Sequence, residues 1–464
     1  MNQVSPGIAN RFWTKIAGTS LNGLRKTYLT VLAAYVFCFL PWFSTYRTAE
    51  TLLVVLLVGI LALGRSSSPL KRVILTDPIF RICLILLAYL LVVQLWYHVS
   101  LPEYVDPSSK VTRHYLKPLM VLLVAAGVSM LRPARAWPVL LLTLAGLYVY
   151  LGLEFRASEW IRALKGYRVD FGIHNAEHTG MFFGTYLLCL LCLSPRLIRW
   201  SCHRGWLVSM AVLPLLLAAL LLAIEGTLAS QTRAVWLGLL QAALVAVILL
   251  IGRLLTSRES QGEKPKLSLL LALVAGAFVV TISLTLNSSQ TVEKRFSTTD
   301  IQIDKILEAP SENVDPKTSS GVRLYSWRVA MGWVGERPLL GWGAGSTKEM
   351  IQHSDYFGAS FKQNFGHLHN TFMETLVAQG LLGTAILVAL IVWIGIATVR
   401  AFRGGDMPWD VFVFAWCFLA FWIVINMFES YILYPTGQYL NAVIVGFVYS
   451  FHFRRRLEDA QPHV

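Results

Sequence analysis

Long apolar runs constrain the fold of this 464-residue chain more than any other feature. Each run has roughly 15 to 30 residues, and a helix of that length, with some tilt, crosses a hydrocarbon core of about 30 Å. Hydrophobic residues make up 55% of the chain and charged residues 14%, which is too apolar for a soluble protein of this size. The runs lie near residues 27–46, 50–64, 79–97, 115–131, 137–153, 180–194, 206–224, 233–252, 267–286, 370–399, 409–428 and 437–453. They predict an all-α polytopic membrane protein with about twelve transmembrane helices.

The basic residues predict the orientation of these helices. If both termini are cytoplasmic, more than half of the 40 Lys and Arg residues fall on the cytoplasmic side, as the positive-inside rule requires. The formal net charge of +14 then reflects membrane topology. We therefore expect membrane lipids, and no nucleic acid, as partners.

The external segments differ in length, and this difference defines the domain organisation. Residues 287–369 form one long loop, and loops of this length usually carry function. The sequence thus divides into an N-terminal set of transmembrane helices 1 to 9 (1–286), the large external loop (287–369), and helices 10 to 12 with a cytoplasmic tail (370–464).

The second half of the long loop has the pattern of a folded subdomain. A helix is predicted there by apolar and basic residues at helical spacing, followed by a proline and a glycine-rich turn. The residues concerned are Arg323, Trp327, Ala330, Met331, Val334, Pro338, Gly341, Gly343 and Gly345. The segment "GWGAGSTK" lacks the spacing of a phosphate-binding loop, so a structural turn is favoured over a nucleotide site.

Ionisable side chains collect at the external ends of the predicted helices. They are Glu225, Arg233, His369, Glu374 and Glu429. Ion-coupled transporters commonly keep such residues near the bilayer centre, where this sequence has almost none. The distribution favours a membrane enzyme over a carrier. The site of such an enzyme would lie at the membrane–water interface on the external side of the bilayer.

Arg233 lies in the segment "ASQTRAVWLGL", where Ser230 or Thr232 is a candidate N-cap. In the first turn of a helix, the guanidinium and the helix N-terminus both favour an anion. The alternative is an arginine that extends to the interface beside Trp236. A phosphate-binding role is the more specific of the two hypotheses.

The segment "FGHLHNTFMETLVAQGLLGT", residues 365–384, opens a long apolar run with titratable groups. Thr371 and Glu374 match a capping box, so we expect a helix from Thr371 with His369 just outside it; Glu374 is a cap or a catalytic group. His367 and His369 are candidate metal ligands, but no further ligands lie nearby in sequence and no Asp-x-Asp motif occurs. We expect neither a metal nor another cofactor.

At these residues the sequence resembles the O-antigen ligase and polymerase superfamily of bacterial inner membranes. His369 and Asn370, followed by Gly380, Gly383 and Thr384, resemble the ligase signature at the start of a late transmembrane helix. The segment "SQTRAVWLGL" resembles the family's Ser-x-x-Arg motif. "RPLLGWGAGS", preceded by Arg323 and Trp327, resembles a turn in the family's large periplasmic loop.

The resemblance implies a GT-C-like glycosyltransferase with a periplasmic active site. Such an enzyme transfers O-antigen from undecaprenyl diphosphate to the core oligosaccharide of lipid A, without an external nucleotide, and we expect inversion at the anomeric carbon. His369 is the expected general base, and Arg233 is the expected catalytic cation on the diphosphate leaving group. Expected substrate-binding or orienting residues are Arg323, Asn370, Glu374, Arg328 and His367, with Arg113, Lys117 and Arg168 as weaker candidates.

Three alternatives remain open at this point. An O-antigen polymerase uses the same donor class but extends another lipid-linked oligosaccharide. A protein O-oligosaccharyltransferase belongs to the same superfamily, although such enzymes usually carry additional C-terminal periplasmic mass. A lipid-oligosaccharide flippase or transporter would suit twelve helices but not the scarcity of charges at the bilayer centre.

Overall fold

The computed structural model describes residues 20–63, 68–100, 112–131, 136, 138–256 and 319–461. Within these ranges the regular secondary structure is helical and includes no strand, which confirms the expected all-α class. The ninth predicted span, 267–286, and the first part of the long loop, 287–318, lie outside the described residues.

We number the α-helices of the described ranges in chain order. They are α1 Ser20–Phe37, α2 Phe43–Leu63, α3 Pro69–Thr76, α4 Pro78–Ser100, α5 Thr112–Leu116, α6 Leu119–Ser129, α7 Pro138–Leu153, α8 Ala157–Leu164, α9 Ala176–Arg204, α10 Trp206–Ala229, α11 Arg233–Thr256, α12 Ser319–Glu336, α13 Ser346–His353, α14 Ala359–Asn364, α15 Thr371–Arg403, α16 Trp409–Asn426, α17 Pro435–Leu440 and α18 Gly446–Asp459. A 3₁₀ turn, Tyr431–Leu433, precedes α17, and a π-helical turn, Asn441–Val445, joins α17 to α18.

Six of these helices are long and apolar enough to cross a membrane: α4, α9, α10, α11, α15 and α16. Helices α7 and α8 pass the same test as a pair, but they are bent by 106° where they meet, as in a broken span or a re-entrant loop. An integral membrane protein with several spans is therefore confirmed, while the number twelve stays a prediction.

The main core joins the two ends of the chain. Helix α11 packs against α16, α9 against α10, and α18 against α6. Within this core the ring of Phe39 stacks on that of Tyr439, with centroids 4.2 Å apart and an interplanar angle of 9°. The C-terminal helices, which border the candidate site described below, are thus held by contacts with the first helices of the chain.

Helices α12, α13 and α14 bury a second apolar cluster against the start of α15. Its members include Trp333, Trp342, Ile351 and Phe361. The helix predicted in the loop is therefore confirmed as α12. Its apolar face is not entirely as expected, because Met331 is 54% exposed; helical spacing alone does not show which edge of an apolar stripe is covered.

The glycine-rich turn after α12 docks on a break in α15. Gly380 has φ 59° and ψ −169°, which interrupts the helix and frees backbone groups for other partners. The amide of Leu381 donates to the Pro338 carbonyl at 2.8 Å, and the amide of Trp342 donates to the Val377 carbonyl at 2.9 Å. The segment serves as a structural turn, as the sequence favoured.

Glycine is required on both sides of this contact. A Cβ on Gly341 would lie 2.5 Å from the Gly380 amide nitrogen, and a Cβ on Gly380 would lie 2.4 Å from the Leu339 carbonyl oxygen. Both glycines also have positive φ, which other residues adopt at a cost. Two motifs about 40 residues apart are therefore halves of one backbone junction, close to the start of α15.

Candidate active site

A single buried carboxylate binds both histidines of the 365–370 segment. His367 Nε2 lies 3.0 Å from Glu429 Oε1, and His369 Nδ1 lies 3.0 Å from Glu429 Oε2. The side chain of Glu429 is 3% exposed, whereas those of the histidines are 19% and 18% exposed. The result is a cluster of two partly exposed imidazoles and one buried carboxylate.

Leu368 fixes the direction of the two histidines. Its side chain is fully buried, its amide donates to Glu374 Oε2 at 3.0 Å, and its carbonyl accepts from the indole nitrogen of Trp327 at 2.8 Å. Both neighbours of this anchored residue place their rings on the same carboxylate, with ring centroids 4.1 Å apart. Trp327 and Glu374 thus act on the segment's backbone.

The start of α15 corrects the expected capping box. Asn370, not Thr371, is the N-cap, and its side-chain oxygen accepts from the amides of Phe372 and Met373 at 3.0 and 3.1 Å. The helix begins at Thr371 as predicted, but the cap lies one residue earlier, because Asn satisfies the free amides of the first turn in the same way as Thr.

The loop that carries Glu429 is hydrogen-bonded to this helix start. The Asn370 amide donates to the Ser430 hydroxyl at 3.1 Å, and the Thr371 hydroxyl donates to the Glu429 carbonyl at 3.1 Å and to Asn426 Oδ1 at 2.7 Å. These bonds fix the carboxylate relative to the imidazoles. Glu429 is therefore the residue placed to orient His369, whereas Asn370 and Glu374 contact backbone amides.

The shared carboxylate shifts the pKa values of the two histidines in opposite directions. Burial lowers the pKa of His367, but the hydrogen bond to Glu429 and the charge of that carboxylate raise it, and the net shift is upward. Burial also lowers the pKa of His369; its hydrogen bond to Glu429 raises it, repulsion from His367 lowers it again, and the net shift is downward.

Burial raises the pKa of Glu429, but hydrogen bonds from both histidines hold it well below its usual range. Near neutral pH the carboxylate is thus ionised, His367 accepts a proton more readily, and His369 is the more readily neutral.

The proton arrangement on neutral His369 follows from its partner. A carboxylate only accepts hydrogen bonds, so Nδ1 of His369 carries the proton and Nε2 holds the free lone pair. Nε2 is buried and has no hydrogen-bond partner among the residues that the structure describes. The edge of the Phe365 ring lies nearby, with centroids 5.5 Å apart. The cluster therefore contains an oriented nitrogen base whose acceptor atom is enclosed.

Two arginines converge on Glu177 beside this cluster. Arg168 Nη2 lies 2.7 Å from Glu177 Oε1, and Arg323 Nη2 lies 3.8 Å from the same oxygen. The charge of Arg323 also lowers the pKa of His367 and His369. Arg168, which the sequence ranked low, is part of this ion-pair network.

The turn before α11 brings Arg233 to the same region. Arg233 is the first residue of α11 and is half-buried. In the preceding turn, the Thr232 hydroxyl donates to the Ala176 carbonyl at 3.0 Å, and the Ser230 carbonyl accepts from Arg168 Nε at 3.1 Å. The expected position of Arg233 in the first helical turn is confirmed, next to the segment that holds Arg168 and Glu177.

Arg328 occupies a different face of α12 from Arg323. Five residues separate them, which is roughly 140° around the helix axis at 3.6 residues per turn, and Arg328 is exposed. Arg323 and Trp327, one turn apart, share the face that meets the histidine segment.

His174 and His178 are a second pair of histidines that sequence reasoning missed. His178 is fully buried with Nδ1 2.5 Å from the Thr436 hydroxyl, and its ring lies edge-on to that of His174 at 4.5 Å. The ring of Tyr434 lies 4.8 Å from each of these two and 5.7 Å from His367. The segment "IHNAEHTG" contains the signal: a His-Asn pair directly before an apolar run, as in "LHNTFMET".

The fold also brings a third candidate metal ligand to the two histidines. One ligand atom each from His367, His369 and Glu429 lie within 4.8 Å of one another. Because Glu429 is 60 residues from His369, spacing along the chain could not reveal it. Glu429 is therefore a candidate third ligand that does not lie near the H-x-H segment in sequence, and the expected metal-independent chemistry stays a prediction.

Two comparisons with known proteins bear on this chain. A family model described as O-antigen ligase matches residues 217–388, a range that includes Arg233, Arg323 and His369. An uncharacterized protein of Haemophilus influenzae is 28% identical over 179 residues, which are 37% of this chain and 40% of that relative; the similarity thus spans less than half of its length. The family match, over residues 217–388, confirms the resemblance seen in the motifs and supports the O-antigen ligase superfamily.

Proposed function

We propose that the protein is an O-antigen ligase of the bacterial inner membrane. The match of residues 217–388 to the O-antigen ligase family model supports a glycosyltransferase-like activity on lipid-linked polysaccharide. In the proposed reaction, O-antigen polysaccharide moves from undecaprenyl diphosphate to a sugar hydroxyl of the lipid A core on the periplasmic face, with both termini cytoplasmic. The observation that carries the proposal is the hydrogen bond between Glu429 and His369 at the start of α15.

His369 is the general base of the proposed reaction. Its Nδ1–H donates to Glu429, so that Nε2 can accept the proton of the acceptor hydroxyl, as in other carboxylate-oriented histidines. The hydroxyl oxygen bonds to the anomeric carbon as the bond to the diphosphate oxygen breaks. Because Nε2 is enclosed in this structure, the acceptor must displace part of its covering as it binds.

The arginines stabilise the leaving group. When the anomeric bond breaks, its electron pair stays on the diphosphate, which gains negative charge near Arg233, Arg323 and Arg168. Guanidinium groups bind phosphate oxygens in a bidentate manner, so no divalent cation is needed in this scheme. Attack opposite the departing diphosphate inverts the anomeric centre.

An apolar cavity beside α15 supports a lipid-linked donor. It is lined by residues of α15 from Thr371 to Thr398, and by residues of α16, the π-helical turn and segment 114–121. The surface of its walls is almost entirely apolar, and His114 and Lys117 are among its polar lining residues. One end reaches Thr371, two residues from the proposed base, where the diphosphate of a prenyl-linked sugar would meet the site.

The test is a transfer assay on the purified full-length protein in detergent with EDTA. The donor is an undecaprenyl diphosphate-linked glycan, the acceptor is lipid A with its core oligosaccharide, and the readout is the gel shift of the acceptor. Transfer that persists in EDTA and is lost in His369→Ala supports a metal-independent ligase. Lengthening of the lipid-linked donor without an acceptor shift would make the protein an O-antigen polymerase, the alternative within the same superfamily.

Stereochemical analysis of donor and product tests the direction of attack. Inversion agrees with direct displacement by the acceptor hydroxyl. Retention would require a covalent intermediate and would contradict the base role of His369.

A further inference from the structure

The cluster of His367, His369 and Glu429 offers the ligand set of a zinc site in addition to a base. Two imidazole nitrogens and a carboxylate form the protein ligands of many zinc sites that keep one position open. The three ligand atoms here lie within 4.8 Å of one another. Tetrahedral zinc at bonds of about 2.0–2.1 Å places its ligands roughly 3.3–3.5 Å apart, so small rotations of the two rings suffice.

The surroundings of the cluster leave the histidines accessible to a metal ion. They fix the carboxylate more firmly than the imidazoles. The histidine side chains are partly exposed, whereas Glu429 is almost fully buried and its Oε1 accepts the Ser430 amide at 2.8 Å. Strong zinc sites usually have a hydrogen-bond partner on the second nitrogen of each histidine. For His369 that nitrogen, Nε2, has none among the described residues, which favours reversible binding over a permanent structural zinc.

Zinc at Nδ1 of His369 is incompatible with the role of this residue as a base. A neutral imidazole with the metal on Nδ1 carries its proton on Nε2. Nε2 then donates a hydrogen bond and cannot accept the proton of a sugar hydroxyl. The metal also takes the Glu429 oxygen that orients the ring.

We propose that Zn²⁺ binds His367, His369 and Glu429 as a reversible inhibitor of the glycan transfer proposed above. This inference rests on the proposed function for its inhibitory effect and on the geometry alone for the binding site. The fourth zinc position is open to water or to a hydroxyl of the bound substrate.

The first experiment measures binding without any substrate. Full-length protein in detergent is treated with EDTA, freed of the chelator, and titrated with Zn²⁺ against a fluorescent zinc indicator. Glu429→Gln and His367→Ala each remove one ligand, and we expect the Kd for Zn²⁺ to rise about 100-fold or more, since even outer-shell partners are typically worth 10- to 100-fold. His353→Ala, which removes an exposed histidine of the same subdomain, is the matched control and should bind zinc like the wild type. Thermal melting of each variant confirms folding.

The second experiment adds zinc to the transfer assay. We expect the EDTA-treated protein to be active. A molar excess of Zn²⁺ over the protein should reduce transfer at least about tenfold, and renewed EDTA should restore it. Unchanged zinc binding in both folded ligand variants would overturn the site. Transfer that needs zinc and stops in EDTA would overturn both the inhibition and the metal-independent mechanism. If no transfer occurs under any condition, the proposed function fails, and the indicator titration still decides the site.

Discussion

Two membrane helices of this protein begin with the same pair of residues. His174-Asn175 precedes α9, and His369-Asn370 precedes α15. Both histidines have left-handed φ, 53° and 50°, and both asparagines are N-caps in an extended conformation, with φ −156° and −158°. The local sequence therefore produces two turns with similar φ angles.

The two turns differ in what the fold brings to the histidine. His369 reaches the buried carboxylate of Glu429 at 3.0 Å, whereas His174 is exposed and packs edge-on against His178. Similar turns thus present an imidazole bound to a carboxylate at one helix and an aromatic contact at the other. The proposed chemistry therefore depends on the distant carboxylate, and the short motif alone does not determine it.

The largest expected effect separates the two histidines. His369→Ala should lower the rate of glycan transfer by about 10²- to 10⁴-fold, the usual contribution of a general base. His174→Ala, its structural counterpart, should lower it by no more than a few-fold. The comparison uses initial rates at saturating donor, and gel filtration checks that both variants fold. Equal losses of rate in the two variants would contradict the distinction between the two turns.

The two acidic partners of the histidine segment provide the next comparison. Glu429→Gln leaves only one side-chain oxygen for two imidazoles, and we expect a loss of roughly 10²- to 10⁴-fold in transfer, as for other carboxylate-to-amide changes beside a catalytic histidine. Glu374→Gln keeps an oxygen that can accept the Leu368 amide, so a loss of only a few-fold is expected. If Glu374→Gln were as inactive as Glu429→Gln, the assignment of the orienting role to Glu429 alone would be wrong.

The sequence predicted the local parts of this site and missed the long-range ones. The start of α15 and the existence of α12 follow from helical periodicity and N-terminal signals, which lie within a few residues of each other. Glu429 was recognised only as an ionisable residue at a helix end, because its partners are 60 residues away. The junction of Gly341 and Gly380 is likewise a tertiary contact, visible in the sequence only as two unconnected glycine motifs.

The smallest expected effect concerns the shared caps. Asn175→Ala and Asn370→Ala each remove a side-chain acceptor from the first turn of a helix, a loss typically worth about 0.5–2 kcal/mol. Both variants should melt a few degrees below the wild type in detergent. Only Asn370→Ala should also slow transfer, because His369 is its neighbour. Equal activities of the two folded variants would show that cap geometry does not position the base.

The central claim, that His369 is a base oriented by Glu429, is tested most directly by the pH dependence of kcat/KM for the acceptor. Burial lowers the pKa of His369, the hydrogen bond to Glu429 raises it, repulsion from His367 lowers it, and the net shift is downward.

A base with a lowered pKa keeps its lone pair down to more acidic pH, so the wild-type rate should be constant near pH 7. It should fall only below the ordinary histidine value of about 6.5. In Glu429→Gln the remaining activity should fall at still lower pH, because the carboxylate that favours protonation is gone. A wild-type rate that still rises between pH 7 and 8, or an acid limb that does not move in Glu429→Gln, would contradict the account.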